Sequence, residues 1–154
     1  MIQQAASQRI SFHKRHGYNV RMNNSAESVA HAFVRAINRQ DVDGLVALMA
    51  PEHRFIDSLG NTVVGREKMR AGWEGYFKMV PDYSIAIEES LSDGTVALML
   101  GIAEGTYAPA GKLKSENRWK TPIALRALIE DGLVEEWRVY ADNEPLRNLM
   151  KKNG

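Results

Sequence analysis

The chain has 154 residues, a formal net charge of +1 and no cysteine. That length suits one domain and suffices for both a core and a pocket. It excludes disulfide and thiolate chemistry, offers no apolar run near the ~20 residues of a membrane span, and carries too little net charge to read as a nucleic-acid binder.

The charge is uneven. Arg9, Lys14, Arg15 and Arg21 stand among residues 1–22 with no acid, whereas acids outnumber bases in the rest. Residues 1–23 therefore read as a basic extension outside the fold, with Met22 as a candidate native start, and 24–150 as a single domain. The N-terminus lacks the apolar stretch of a secretory signal, and without cysteines the expected location is cytoplasmic.

Ser25 or Asn24 can cap a first helix, on which Val29, Phe33, Ala36 and Ile37 share a stripe and His31 faces solvent. Gln40-Asp41 breaks it, and Asp41 caps a second helix, VDGLVALM, that Pro51 ends. A strand is expected around Arg54 to Asp57, a turn over Ser58 to Asn61, and extended chain again from Thr62 to Val64. Gly65 opens a third helix, REKMRAGWEGYFKMV, with Met69, Trp73, Tyr76, Phe77 and Val80 on one face. The remainder reads as strands: YSIAIEESL, TVALMLGIAEGTY, RWKTPIALRALI and LVEEWRVYAD, with hairpin turns at Ser92-Asp93-Gly94 and Glu130-Asp131-Gly132. A short helix, EPLRNLMKK, closes the chain with lysines where its dipole favours them. Helices followed by antiparallel strands predict an α+β fold, a curved sheet wrapped around three N-terminal helices as a cone with an internal pocket.

Asp57 stands out because it follows the apolar pair Phe55-Ile56. Either it anchors the Ser58–Asn61 turn through backbone hydrogen bonds, or it is a base whose pKa an apolar pocket raises. His53 lies in phase with it and is an acid partner near the rim or a surface histidine. Four histidines without paired spacing give no metal site, and no glycine-rich loop follows a strand, so no cofactor is expected.

The segment AFVRAINRQDVDGLVALMAPEHRFIDSLG and the closing DGLVEEWRVYAD resemble the nuclear transport factor 2-like superfamily, in its branch of ketosteroid isomerases and SnoaL-like polyketide cyclases. The resemblance spans about residues 26 to 146. It implies a cystatin-like cone, often dimeric, and places Asp57 on the catalytic base of the isomerases. It also places the isomerase oxyanion tyrosine on Phe33 and the protonated aspartate near Leu125, so neither donor is kept. The aspartate of the cyclases and of the similar limonene-epoxide hydrolases falls on Val139, and the cyclase histidine on Leu125.

The same resemblance sets the strand phase: Trp119, Thr121, Ile123, Leu125, Ala127, Glu135, Trp137, Val139 and Ala141 face the cone. Arg118, Lys120, Arg126, Arg138 and Tyr140 face outward, as a homodimer interface or a solvated face. The expected substrate wall is Phe33, Phe55, Trp73, Phe77, Trp119, Leu125, Trp137 and Val139, with Tyr76, Thr121, Glu135 and the indole N–H groups as polar contacts. Such a wall fits a small apolar or aromatic ligand. The first functional reading is a proton-transfer enzyme (an isomerase, dehydratase or cyclase-like catalyst) acting on an apolar carbonyl compound. The alternative is a non-catalytic ligand-binding or dimerisation module. A protein-interaction domain of the transport-factor kind is a third, weaker reading.

Overall fold

The structure, a computed structural model, describes residues 25–154; the basic extension lies outside the described residues. Helix α1, Ala26–Asn38, begins where the Ser25 hydroxyl accepts the Ser28 N–H at 3.2 Å. Its apolar stripe buries Val29, Phe33, Val34 and Ile37. His31 is only partly solvated: α1 lies across β3 (Ser84–Asp93), and His31 Nε2 sits 3.1 Å from Ser90 Oγ. Helix α2, Val42–Leu48, is capped by Asp41, whose carboxylate accepts the Gly44 N–H at 2.9 Å. Strand β1, Met49–Ile56, follows at once and carries Pro51 inside it. Strand β2 is Thr62–Val64, and helix α3, Arg66–Met79, starts from Gly65 at φ 101°, a conformation that favours glycine.

The sheet is completed by β4 (Val96–Thr106), β5 (Arg118–Glu130) and β6 (Leu133–Ala141), in the order β2-β1-β6-β5-β4-β3. Every pairing is antiparallel except β1 with β6. Each of the pairings β1–β6, β3–β4 and β5–β6 has a register shift. Such bulges bend strands and raise twist, which is how an open sheet curls over helices. Gly101 sits at the β3 shift, where a Cβ would collide with the Ala86 carbonyl oxygen. The curled sheet holds Met99, Leu125, Val134 and Trp137 against Phe33, Ile37 and Leu45, all fully buried. Helix α4, Glu144–Asn153, covers the end of the sheet through Leu146.

Candidate active-site cavity

A cavity of about 310 Å³ lies between α3 and the inner face of the sheet. Strands β1 and β6 contribute Phe55, Trp137 and Val139, β5 contributes Trp119 and Leu125, and α3 contributes Trp73 and Tyr76. The alternating burial of β5 turns Trp119, Ile123 and Leu125 inward. The rim carries Asp57 and Ser58, whose hydroxyl accepts the Asn143 side-chain amide at 3.0 Å.

Asp57 departs from the raised basicity expected of it. Its Oδ1 accepts the backbone N–H groups of Leu59 and Asn61, each at 2.9 Å, and its Oδ2 accepts the Asn61 side-chain amide at 3.0 Å. Burial pushes the carboxyl up, but the donors of Asn61, Leu59 and Gly60 together outweigh it and hold the group below its ordinary 3.8. Asp57 thus anchors its turn and also borders the cavity, as an ionised carboxylate.

His53 is not at the rim. Between Met49 and Arg54, β1 leaves its ladder with β6, and the imidazole fills the gap. Its Nδ1–H donates to the Val134 carbonyl at 2.7 Å, which assigns the tautomer, and the residue is fully buried beside Phe33. Nε2 is buried without a partner among the described residues, and burial lowers the pKa against the opposing pull of the Val134 bond. The folded state therefore holds His53 neutral while the unfolded chain protonates near 6.5. Stability is full above that value and falls as pH drops toward the lowered folded pKa, by at most about 1.4 kcal/mol per pH unit. Urea melts at stepped pH check this: His53→Gln flattens the slope below pH 6.5.

Four other expected wall residues lie elsewhere. Phe33 has no exposed surface and sits behind the wall, 4.5 Å from Trp137 and 6.5 Å from Trp73, ring to ring. Phe77, one helical turn beyond Trp73, stacks on it at 5.3 Å from behind. Thr121 donates its hydroxyl to the Asp142 carbonyl at 3.0 Å. Glu135 is the extra residue of the β5–β6 bulge, because Leu128 pairs with Glu136 and Ile129 with Val134. Val134 takes the inward position in its place. Glu136 turns to the outer face, where its carboxylate accepts Arg54 at 2.7 Å and Arg126 at 2.8 Å.

Tyr83, just before β3, is a wall residue that sequence reasoning missed. Its ring meets Tyr76 edge-on at 5.0 Å and Trp119 at 6.0 Å, and Tyr76 in turn meets Trp73 at 6.2 Å. Burial raises the pKa of both phenols, aided in Tyr76 by Tyr83, so both stay protonated. The signal was present: Tyr83 follows the Pro81-Asp82 stop, two residues before the buried Ile85. Among the described residues, no three His, Asp or Glu side chains gather as a potential metal site, and no helix is long and apolar enough to cross a membrane.

The family model described as the SnoaL-like domain matches residues 30–137. The chain belongs to this family. The SnoaL-like domain is similar in fold to an LEH-like epoxide hydrolase from M. tuberculosis, with a TM-score of 0.67 at 16% identity over 82% of this chain and 90% of that one. It is similar to an NTF2-like protein from Burkholderia thailandensis, with a TM-score of 0.69 at 15% identity over 82% and 97%. A cystatin-fold protein from Novosphingobium aromaticivorans gives 0.61 at 24% identity over 75% and 97%. At these identities the likeness establishes the fold alone. No curated protein matches the sequence.

Proposed function

We propose that this SnoaL-like domain binds a small apolar carbonyl compound in its cone and catalyses proton transfer on it. The observation that carries the reading is the cavity itself: about 310 Å³, walled by tryptophans, tyrosines and aliphatic side chains, with an ionised carboxylate on its border. A small-molecule site is a mostly apolar concavity with a few placed polar groups. In the proposed step Asp57 Oδ2, which accepts the Asn61 side-chain amide, takes a proton from the carbon beside the carbonyl. With a β,γ-unsaturated ketone the C–H electron pair forms a new C=C bond while the carbonyl π pair moves to oxygen, giving a dienolate, and return of the proton to the γ-carbon completes an isomerisation to the conjugated ketone. A thermal-shift screen with steroids, aromatic ketones and polyketide fragments tests the pocket, since a ligand specific to the folded state raises Tm. Failure of every such compound to raise Tm would remove the reading.

The second reading, a non-catalytic ligand-binding module, is favoured by the turn bonds of Asp57. The turn alone accounts for an aspartate there, with no chemistry required of it.

The same proposal includes a homodimer through the outer sheet face. Strand register places Leu91, Leu98, Arg126 and Arg138 in one row and Leu100, Ala124 and Tyr140 in the next. Leu91 is 73% exposed, Leu98 46% and Leu100 47%, an apolar strip beside the Arg54–Glu136–Arg126 bridge. A second copy related by a two-fold axis covers such a strip with its own equivalent. The expected result is a dimer by sedimentation equilibrium and a monomer for Leu98→Glu/Leu100→Glu, with an unchanged circular dichroism spectrum. A native chain that sediments as a monomer counts against the interface.

A further inference from the structure

We infer that Tyr76 and Tyr83, flanked by the indoles of Trp73 and Trp119, form a hydrogen-bond-donating subsite for an acceptor oxygen of the ligand. The inference rests on the proposed pocket and says where in it the oxygen goes. These four residues run through the cavity wall in unbroken ring contact, Trp73 to Tyr76 to Tyr83 to Trp119. Each carries a polar hydrogen. The indole nitrogens of Trp73 and Trp119 are both buried with no acceptor among the described residues. Neither phenol hydroxyl makes a hydrogen bond to the described residues. Buried Trp N–H and Tyr O–H groups nearly always find partners, and an unpaired one in a native protein requires an explanation. The two indole nitrogens are closed off within the wall, whereas the phenol hydroxyls of Tyr76 and Tyr83 keep accessible surface, and an acceptor on the ligand accounts for these two unpaired hydroxyls in an apolar cavity wall.

The donors also fit the chemistry. A phenol that stays protonated is a neutral donor beside a developing oxyanion. The positions that the family resemblance assigns to oxyanion donors hold Phe33 and Leu125, which carry no polar hydrogen. The phenol pair on α3 and just before β3 supplies the missing function from a different part of the cone.

A matched pair of probes tests this: 1-tetralone, which has a carbonyl, and tetralin, its hydrocarbon counterpart. Affinities come from tryptophan fluorescence, and the carbonyl stretch of bound tetralone from infrared spectroscopy. The native chain is expected to bind the ketone about tenfold more tightly than the hydrocarbon, as two added hydrogen bonds imply, and to shift the stretch to lower frequency. Tyr76→Phe/Tyr83→Phe should bring the two affinities to within about twofold and abolish the shift, with tetralin affinity unchanged. Each single variant should lose part of the preference, which gives the same reading if the double variant fails to fold. A preference that survives in the variants, or equal binding of both probes by the native chain, overturns the subsite and leaves the pocket standing. Binding of neither probe overturns the pocket and the subsite together.

Discussion

Asp57→Asn is expected to lower turnover of a genuine substrate by about 10²–10⁴-fold while leaving fold and ligand affinity nearly intact. The substitution is close to isosteric. The amide oxygen still accepts the N–H groups of Leu59 and Asn61, so the turn persists. What disappears is Oδ2, both as the lone pair that would receive the proton and as the acceptor of the Asn61 side-chain amide. The lowered pKa adds a second signature. A base desolvated in an apolar pocket loses activity as pH falls through 5 or 6, whereas Asp57 keeps its charge until the pH passes below 3.8. The acid limb of kcat/KM is therefore expected under that value, or to be hidden by acid unfolding. Undiminished turnover by the variant would reject the base. A loss confined to thermal stability would favour the binding-only reading, in which the turn is all that Asp57 serves.

The low basicity bears on what else the site must supply. A weaker base needs a carbon acid made more acidic, which places more of the burden on stabilising the enolate oxygen. Under the proposed subsite, the phenol hydroxyls of Tyr76 and Tyr83 meet that need in the cavity that the carboxylate borders.

The fold was legible because its signals are local and repeated. RWKTPIALRALI reads as a strand on its own, the family resemblance sets its phase with Trp119, Ile123 and Leu125 inward, and Asp41 before an apolar run caps α2. The residues that misled sit where alternation breaks. Glu135 reads as inward on a strict two-residue period, and the bulge at Leu128–Ile129 shifts that position to Val134. His53 reads as accessible beside Glu52 and Arg54, but β1 departs from β6 there and the imidazole replaces a ladder donor to Val134. Bulges depend on how two distant strands meet, and nothing in either strand alone encodes the offset. Depth is equally non-local: Phe33 and Trp73 both lie on apolar helical stripes, and only the packed rings show which is wall and which lies behind it.

That distinction gives Phe33→Ala the largest expected effect on stability. Phe33 is fully buried against Trp137, Trp73 and His53, so removing its ring leaves a void bounded by rigid aromatic groups. Such sites relax poorly, and the expected cost is about 3–5 kcal/mol, or roughly 10 °C in Tm for a domain of this size. Urea denaturation should show a lower midpoint with an unchanged slope. A wall residue would behave differently: truncating a side chain that already faces open space costs little stability and changes which ligands bind. Leu125→Ala provides the internal contrast, because Leu125 is both buried and cavity-lining, so its loss should enlarge the pocket as well as weaken the core. Phe33→Ala with native stability and altered ligand selectivity would put the ring back in the wall. Destabilisation with unchanged selectivity for the ligands that still bind is the outcome its position behind Trp73 and Trp137 requires.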